Sequence, residues 1–155
     1  MAVKLLILDV DGVLTDGTIT YDHLGREVKF FNVKDGFGIV AAQRQGLRVA
    51  VISGRYSWQV EKRCRELKIA DVYQGISDKL SIYNSLKEKY SLEDAQVAVM
   101  GDDIPDIPLI KAAGVSGAPS DAVPQVKVLV DFVSKSPGGR GAVREFIDYL
   151  LKEKG

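Results

Sequence analysis

Cysteine is almost absent: Cys64 is the only one among 155 residues. A lone thiol forms neither an internal bridge nor a cysteine-based zinc site, so stability must come from a packed core. Excess charge is absent too, since 21 Lys plus Arg face 21 Asp plus Glu. A general nucleic-acid binder would carry a basic surplus, and a disordered chain would fall short of the 46% apolar residues found here. Long hydrophobic runs are also missing. The apolar stretch within Met1–Val10 is short and broken by Asp9, so it reads as neither a signal peptide nor a membrane span. Internal repeats, low-complexity tracts and linkers are not seen, which predicts one domain. The expected setting is a reducing cytoplasm, with no nucleic-acid or membrane partner.

What is present is alternation. Short apolar runs at Val3–Leu8, Leu47–Ile52, Val97–Met100 and Val126–Val130 read as buried parallel strands, with a shorter one at Asp71–Tyr73. Helical-period segments lie between them. Phe37–Gln45 stops at Gly46, Ser57–Lys68 carries Val60, Cys64 and Leu67 on one stripe, and Leu80–Tyr90 carries Ile82, Leu86 and Tyr90. A final helix, Ala142–Lys152, follows the glycine-rich and nominally flexible Ser136–Gly141. The expected fold is a doubly wound, Rossmann-like α/β domain with a mostly parallel sheet. One insertion interrupts it. Thr18–Tyr21 and Glu27–Phe31 bracket a turn at Asp22-His23-Leu24-Gly25-Arg26, predicting a β-hairpin flap over roughly residues 17–32 after the first strand. His23, the sole histidine, falls in that turn, away from any strand end.

Ligand crevices of open α/β sheets lie beyond the carboxyl ends of the strands, and here those ends are polar. The first gives Asp9-Val10-Asp11-Gly12, the second Ser53-Gly54-Arg55, the fourth Gly101-Asp102-Asp103 with Asp106 beyond, and Lys79 opens the helix after the third. Asp9, Asp11, Asp102, Asp103 and Asp106 gathered at one edge would repel strongly unless a cation sat among them. Hard oxygen donors select Mg²⁺, which usually takes one or two carboxylates, keeps several waters and binds substrate phosphate. For Asp103 and Asp106 a plain helix-capping role stays open.

Asp9-Val10-Asp11-Gly12-Val13-Leu14-Thr15-Asp16-Gly17, Ser53-Gly54-Arg55, Lys79 and Gly101-Asp102-Asp103 resemble, in order, the four motifs of the haloacid dehalogenase superfamily. The hairpin, Asn32-Val33-Lys34-Asp35-Gly36-Phe37-Gly38 and Gly138-Gly139-Arg140-Gly141-Ala142-Val143-Arg144-Glu145 narrow the resemblance to its capless branch of acidic-sugar phosphatases, those acting on an eight-carbon ulosonate 8-phosphate. That resemblance implies Asp9 as nucleophile, Asp11 as general acid and then base, and Lys79 as the charge that steadies Asp9 and the phosphoryl group. It implies Mg²⁺ held by Asp9, by Asp11 through its carbonyl, and by Asp102, with Asp103 orienting Asp102. Substrate contacts fall on Asp11, on Asn32, Val33, Lys34, Asp35 and Gly36, on Ser53, Gly54, Arg55, Arg63 and Lys79.

A capless site lies open to water, and the resemblance implies closure by oligomerisation into a homotetramer through the hairpins. Ile19, Tyr21, Val28, Phe30 and Phe31 give that flap more apolar surface than solvent should see. The Ser136–Gly141 segment is expected to be a mobile loop able to approach a neighbouring site, with Arg140 as an anion contact. Cys64 reads as packing and Trp58 as partly buried against the sheet. Three other readings stay open: a phosphatase for a nine-carbon ulosonate 9-phosphate, a noncatalytic oligomerisation module, and a phospho-accepting receiver domain. Asp11 and the hairpin argue against the receiver.

Overall fold

The computed structural model describes residues 2–154. Chain order runs β1 (Leu5–Leu8), a hairpin of β2 (Thr20–Tyr21) and β3 (Glu27–Val28), α1 (Val33–Arg44), β4 (Arg48–Ile52), α2 (Trp58–Glu66), β5 (Asp71–Tyr73) and α3 (Lys79–Tyr90). It continues with β6 (Val97–Met100), α4 (Ile107–Ala112), β7 (Val115–Ala118), α5 (Pro124–Lys127), β8 (Phe132–Val133) and α6 (Ala142–Lys154). Six strands form one parallel sheet in the order β5-β4-β1-β6-β7-β8, and β2 with β3 form a separate antiparallel ribbon.

The alternating geometry of a strand sorts its side chains to two faces. Leu6 and Leu8 of β1 join Val49, Val51, Ala98 and Met100 in one core, beneath Ile39 and Ala42 of α1, Val60 and Cys64 of α2, and Phe146 and Ile147 of α6. Leu5 and Ile7 join Ala50, Ile52, Val97 and Val99 in the other, beneath Tyr83 and Leu86 of α3, Leu109 and Ile110 of α4, and Val126 of α5. Each of the larger aliphatic and aromatic side chains contributes about 1.5–3 kcal/mol by leaving water, which is why these strands carry no polar residue between their ends. Order along the sheet reverses beside β1: the first crossovers run outward through β4 and β5, the later ones through β6, β7 and β8. A crevice therefore opens where the ends of β1 and β6 diverge.

Four expectations need correction. Val126–Val130 is not a strand: Pro124 sits in the first turn of α5, a position that tolerates its missing N–H, leaving Val126 buried and Val128 80% exposed. The strands actually present there are β7 and β8. α1 begins at Val33 rather than Phe37, because the Asn32 side-chain oxygen accepts the N–H groups of Lys34 at 2.8 Å and Asp35 at 3.3 Å. Trp58 is exposed, not packed on the sheet. Finally, Ser136–Gly141 is fastened to its own chain. The Gly139 N–H reaches the Val13 carbonyl at 3.0 Å, the Gly138 N–H the Asp121 carboxylate at 3.0 Å, and the Ser136 N–H the Glu145 carboxylate at 3.0 Å.

Candidate active site

Where β1 ends, the chain turns hard. The Val10 carbonyl accepts the N–H groups of Val13, Leu14 and Thr15, and the buried Thr15 hydroxyl oxygen accepts those of Gly12 at 3.3 Å and Gly17 at 3.2 Å. Asp9 and Asp11 project from the start of this turn into a cleft of about 470 Å³ lined also by Ser53, Gly54, Arg55, Lys79, Asp102 and Asp106. Gly12 holds φ at +89°, and a Cβ there would lie 1.8 Å from Asp102 Oδ2, so glycine alone lets that carboxylate close over the turn.

Lys79 enters from the first turn of α3, which Asp78 caps by accepting the Ser81 N–H at 3.1 Å. Its side chain is 7% exposed, and its ammonium donates to Asp9 Oδ1 at 3.2 Å and to Asp106 Oδ1 at 2.7 Å. The other oxygen of Asp106 accepts the N–H groups of Asp102 at 3.0 Å and Asp103 at 3.4 Å. Thus Asp106, itself buried, supports both the lysine and the Asp102 loop. The role expected of Asp103 falls to Asp106 instead: Asp103 is exposed and its carboxylate caps the following turn by accepting the Ile104 N–H at 2.7 Å. No sequence signal separated the two, since both are aspartates near a helix start.

Crowding of like charge shows in the acidities. Burial, reinforced by the Asp106 charge, lifts Asp9 to about 6 despite Lys79 beside it. Burial, with Asp9 and Asp106 adding to it, lifts Asp102 to about 8. Burial disfavours the Lys79 ammonium, yet Asp9 and Asp106 outweigh it and hold Lys79 above the usual range. Oxygens of Asp9, Asp102 and Asp106 lie within 4.8 Å of one another. Such a set, all hard carboxylate oxygen and short of positive charge, fits a divalent cation of the Mg²⁺ type.

The hairpin reaches the same site, through two residues the sequence did not single out. Lys29 places its ammonium 2.7 Å from Asp11 Oδ1 and 2.6 Å from Glu27 Oε1, and Glu27 Oε2 accepts from Arg55 Nη2 at 3.0 Å. The Gln59 side-chain amide donates to the Glu27 carbonyl, pinning the ribbon to α2. The available signal was the spacing: Glu27 and Lys29 are two apart in extended chain and so face the same way.

Other expected contacts lie elsewhere. Asn32, Asp35, Gly36 and Arg63 border a small cavity with Cys64 and Leu67 rather than the Asp9 cleft. The Arg63 guanidinium lies so close to Gly36 that a Cβ there would meet Nη2 at 2.3 Å, and it pairs with Glu66 at 3.5 Å. Asp35 is buried and accepts the Arg144 N–H at 3.0 Å at the start of α6. Val33 and Lys34 are exposed on the first turn of α1. Within one chain, then, these residues and Asp9 are not brought together. Arg140 lines a different cleft with Asp16, Phe30, Phe31 and Asn32.

The haloacid dehalogenase-like hydrolase family matches residues 65–147, a span that holds Lys79, Asp102 and Asp106. The first half is covered by whole-chain relatives. The 3-deoxy-D-manno-octulosonate 8-phosphate phosphatase of Escherichia coli is 46% identical over 153 residues, 99% of this chain and 81% of that one. The Yersinia pestis phosphatase of the same name superposes with a TM-score of 0.95 at 43% identity, over 97% of this chain and 81% of that one. The Moraxella catarrhalis phosphatase, solved with a magnesium ion, a phosphate ion and a KDO molecule, gives 0.94 at 39% identity, over 97% and 86% of the two chains. With its strand-end aspartates, lysine and hairpin, the chain belongs to the haloacid dehalogenase superfamily and, within it, to the 3-deoxy-D-manno-octulosonate 8-phosphate phosphatase family.

Proposed function

We propose that this protein is a Mg²⁺-dependent phosphomonoester hydrolase that converts 3-deoxy-D-manno-octulosonate 8-phosphate to the free sugar acid and inorganic phosphate. The observation that carries the reading is the Asp9–Lys79–Asp106 cluster beside Asp102 at the end of β1, in a chain 46% identical to a phosphatase of that name. Asp9 attacks phosphorus in line, forming an aspartyl-phosphate while the sugar oxygen departs. Asp11, two residues on and lining the same cleft, protonates that oxygen and then takes a proton from the water that frees the phosphate. Lys79 offsets the charge gathering on Asp9 and the equatorial oxygens, and Ser53 with the Gly54 N–H donates to those oxygens. When bound, Mg²⁺ held by the Asp9 and Asp102 carboxylates and the Asp11 carbonyl supplies positive charge against the phosphoryl group. Arg55, which lines the cleft while paired with Glu27, suits the substrate carboxylate.

Closure of the open cleft falls to neighbouring copies in a homotetramer. Ile19, Tyr21 and Phe30 of the flap are 51%, 60% and 73% exposed, and Val33 and Phe37 of α1 are 79% and 66% exposed. In such an assembly Asn32, Val33 and Lys34 act toward a neighbour's substrate rather than their own, while the buried Asp35 and Gly36 hold that segment in place. Light scattering showing a monomer at working concentration overturns the assembly. No helix among the described residues is long and apolar enough to cross a membrane. Separately, we propose a reducing cytoplasm as the compartment, in keeping with the single, buried, unbridged Cys64. The central test is phosphate release from a panel of sugar phosphates with and without Mg²⁺. Turnover should require the metal, favour the eight-carbon ester over hexose phosphates and nine-carbon ulosonate esters, and vanish in Asp9→Asn. Absence of turnover on every ester refutes the enzyme reading; loss of the eight-carbon preference refutes only the substrate.

A further inference from the structure

The flap contributes a lysine that the reaction scheme above leaves unused. Its side chain is 2% exposed, although lysine is rarely buried without a partner, and its ammonium sits between the carboxylates of Asp11 at 2.7 Å and Glu27 at 2.6 Å. Such burial is tolerable only when the charge is paired, and breaking one partner of a buried pair is costly. Glu27 is itself held by Arg55 at 3.0 Å and, through its carbonyl, by Gln59. The order Arg55–Glu27–Lys29–Asp11 is therefore a continuous file of alternating charge from the end of β4, through the ribbon, to the carboxylate beside the nucleophile. Asp11 stands on a tight turn, 25% exposed, and among the described residues Lys29 is the one cation within ion-pair distance of its carboxylate. Asp9, by contrast, has Lys79.

We infer that Lys29 is the positioning residue of the acid–base step: by holding Asp11 Oδ1 it leaves Oδ2 to carry the proton to the leaving oxygen, with Glu27 and Arg55 anchoring the lysine, while the attack by Asp9 proceeds without it. The inference rests on the reading of Asp11 as the acid and base. It also gives the flap a task inside its own subunit, independent of assembly. A carboxylate released from this ion pair keeps its place in the sequence but not its direction, and misplacement on the ångström scale costs on the order of 10² in rate.

The test exploits leaving groups. An alkyl ester needs its departing oxygen protonated, whereas 4-nitrophenolate leaves unaided, so kcat/KM on the two isolates the acid step. Lys29→Met should lower kcat/KM about 10²-fold on 3-deoxy-D-manno-octulosonate 8-phosphate and by less than about fivefold on 4-nitrophenyl phosphate. Lys29→Arg, which keeps the cation, should recover most of the loss. Equal losses on both esters, or none on either, overturn the inference, since a merely structural lysine would not discriminate between leaving groups. Asp11→Asn run beside it separates the two levels. If Asp11→Asn discriminates and Lys29→Met does not, the inference alone fails; if Asp11→Asn does not discriminate, the acid assignment fails and takes the inference with it. Should Lys29→Met not fold, Glu27→Gln, which loosens the same ammonium without stranding it, carries the comparison with the same criteria.

Discussion

Asp106→Asn is the sharpest perturbation of the site, because one carboxylate there does work that an amide cannot copy. Asp106 accepts the Lys79 ammonium at 2.7 Å on one oxygen and the Asp102 N–H at 3.0 Å and Asp103 N–H at 3.4 Å on the other. An amide has a single acceptor oxygen, so its NH₂ must face either a buried ammonium or a pair of backbone N–H groups. Breaking a buried ion pair costs roughly 3–5 kcal/mol, and the lower end applies because Lys79 keeps Asp9 at 3.2 Å. A second effect opposes it. Without metal, Asp102, lifted to about 8, keeps its proton at neutral pH, so removing the Asp106 charge relieves repulsion chiefly with Asp9, up to about 4 kcal/mol at an effective dielectric of 20. The two effects then nearly cancel. With saturating Mg²⁺ that repulsion is already neutralised and the loss stands alone: about 3 kcal/mol, or roughly 6–12 °C in Tm. Thermal melts of wild type and variant with Mg²⁺ and with chelator, paired with phosphate release, give the four numbers required. The expected pattern is a large Tm loss with Mg²⁺, a small one without, and kcat down by on the order of 10² as Lys79 and the Asp102 loop drift. An equal Tm loss in both conditions, or unchanged kcat, refutes the reasoning.

Three further outcomes are expected. Asp9 and Asp102 hold protons more tightly folded than unfolded, at about 6 and about 8 against a usual 3.8, so the metal-free protein loses stability as pH rises from about 4 to 8. Tm with chelator should fall by several degrees across that window and Mg²⁺ should abolish the fall; a Tm that rises with pH overturns the acidities. Gly139→Ala, at φ +72° with a Cβ 2.5 Å from the Asp16 nitrogen, should push the catalytic turn aside and lower both Tm and kcat, whereas unchanged kcat would show the turn to be independent of it. Burial pushes the Cys64 thiol up to about 12, so an aromatic disulfide reagent should react with it only as the protein unfolds; rapid reaction of the native protein contradicts the packing.

Much of the site was readable because its chemistry is local. Asp9, Asp11, Ser53, Lys79 and Asp102 stand at strand ends or first helical turns, and finding the strands finds them. What escaped notice depends on distant partners. The function of Asp106 is defined by which N–H groups and which ammonium it meets, not by its own neighbours in sequence. Lys29 reads as an ordinary alternating strand residue until the ribbon folds onto Asp11. Strand β7 hid for a packing reason: a Cβ on Gly117 would meet the Phe146 ring at 2.7 Å, so the position demands the residue that most weakens a strand signal. Val126–Val130 misled in the opposite sense, offering valines at alternate positions where Pro124 starts a short helix.

The two glycines that rest on the catalytic turn also order events in time. Gly138 lies so close that a Cβ there would stand 1.9 Å from the Gly12 carbonyl oxygen, and the Gly139 N–H holds Val13. Nearly the whole chain separates these residues from Asp9, so the nucleophile is translated early and its brace late. A nascent chain can pair β1 with β4 and β6 while still tethered to the ribosome, yet its turn stays unbraced until α6 and the segment before it have emerged. The turn that follows Asp9 is thus braced only where the segment before α6 has docked, so loosening that docking should weaken the site without altering any residue of the cleft.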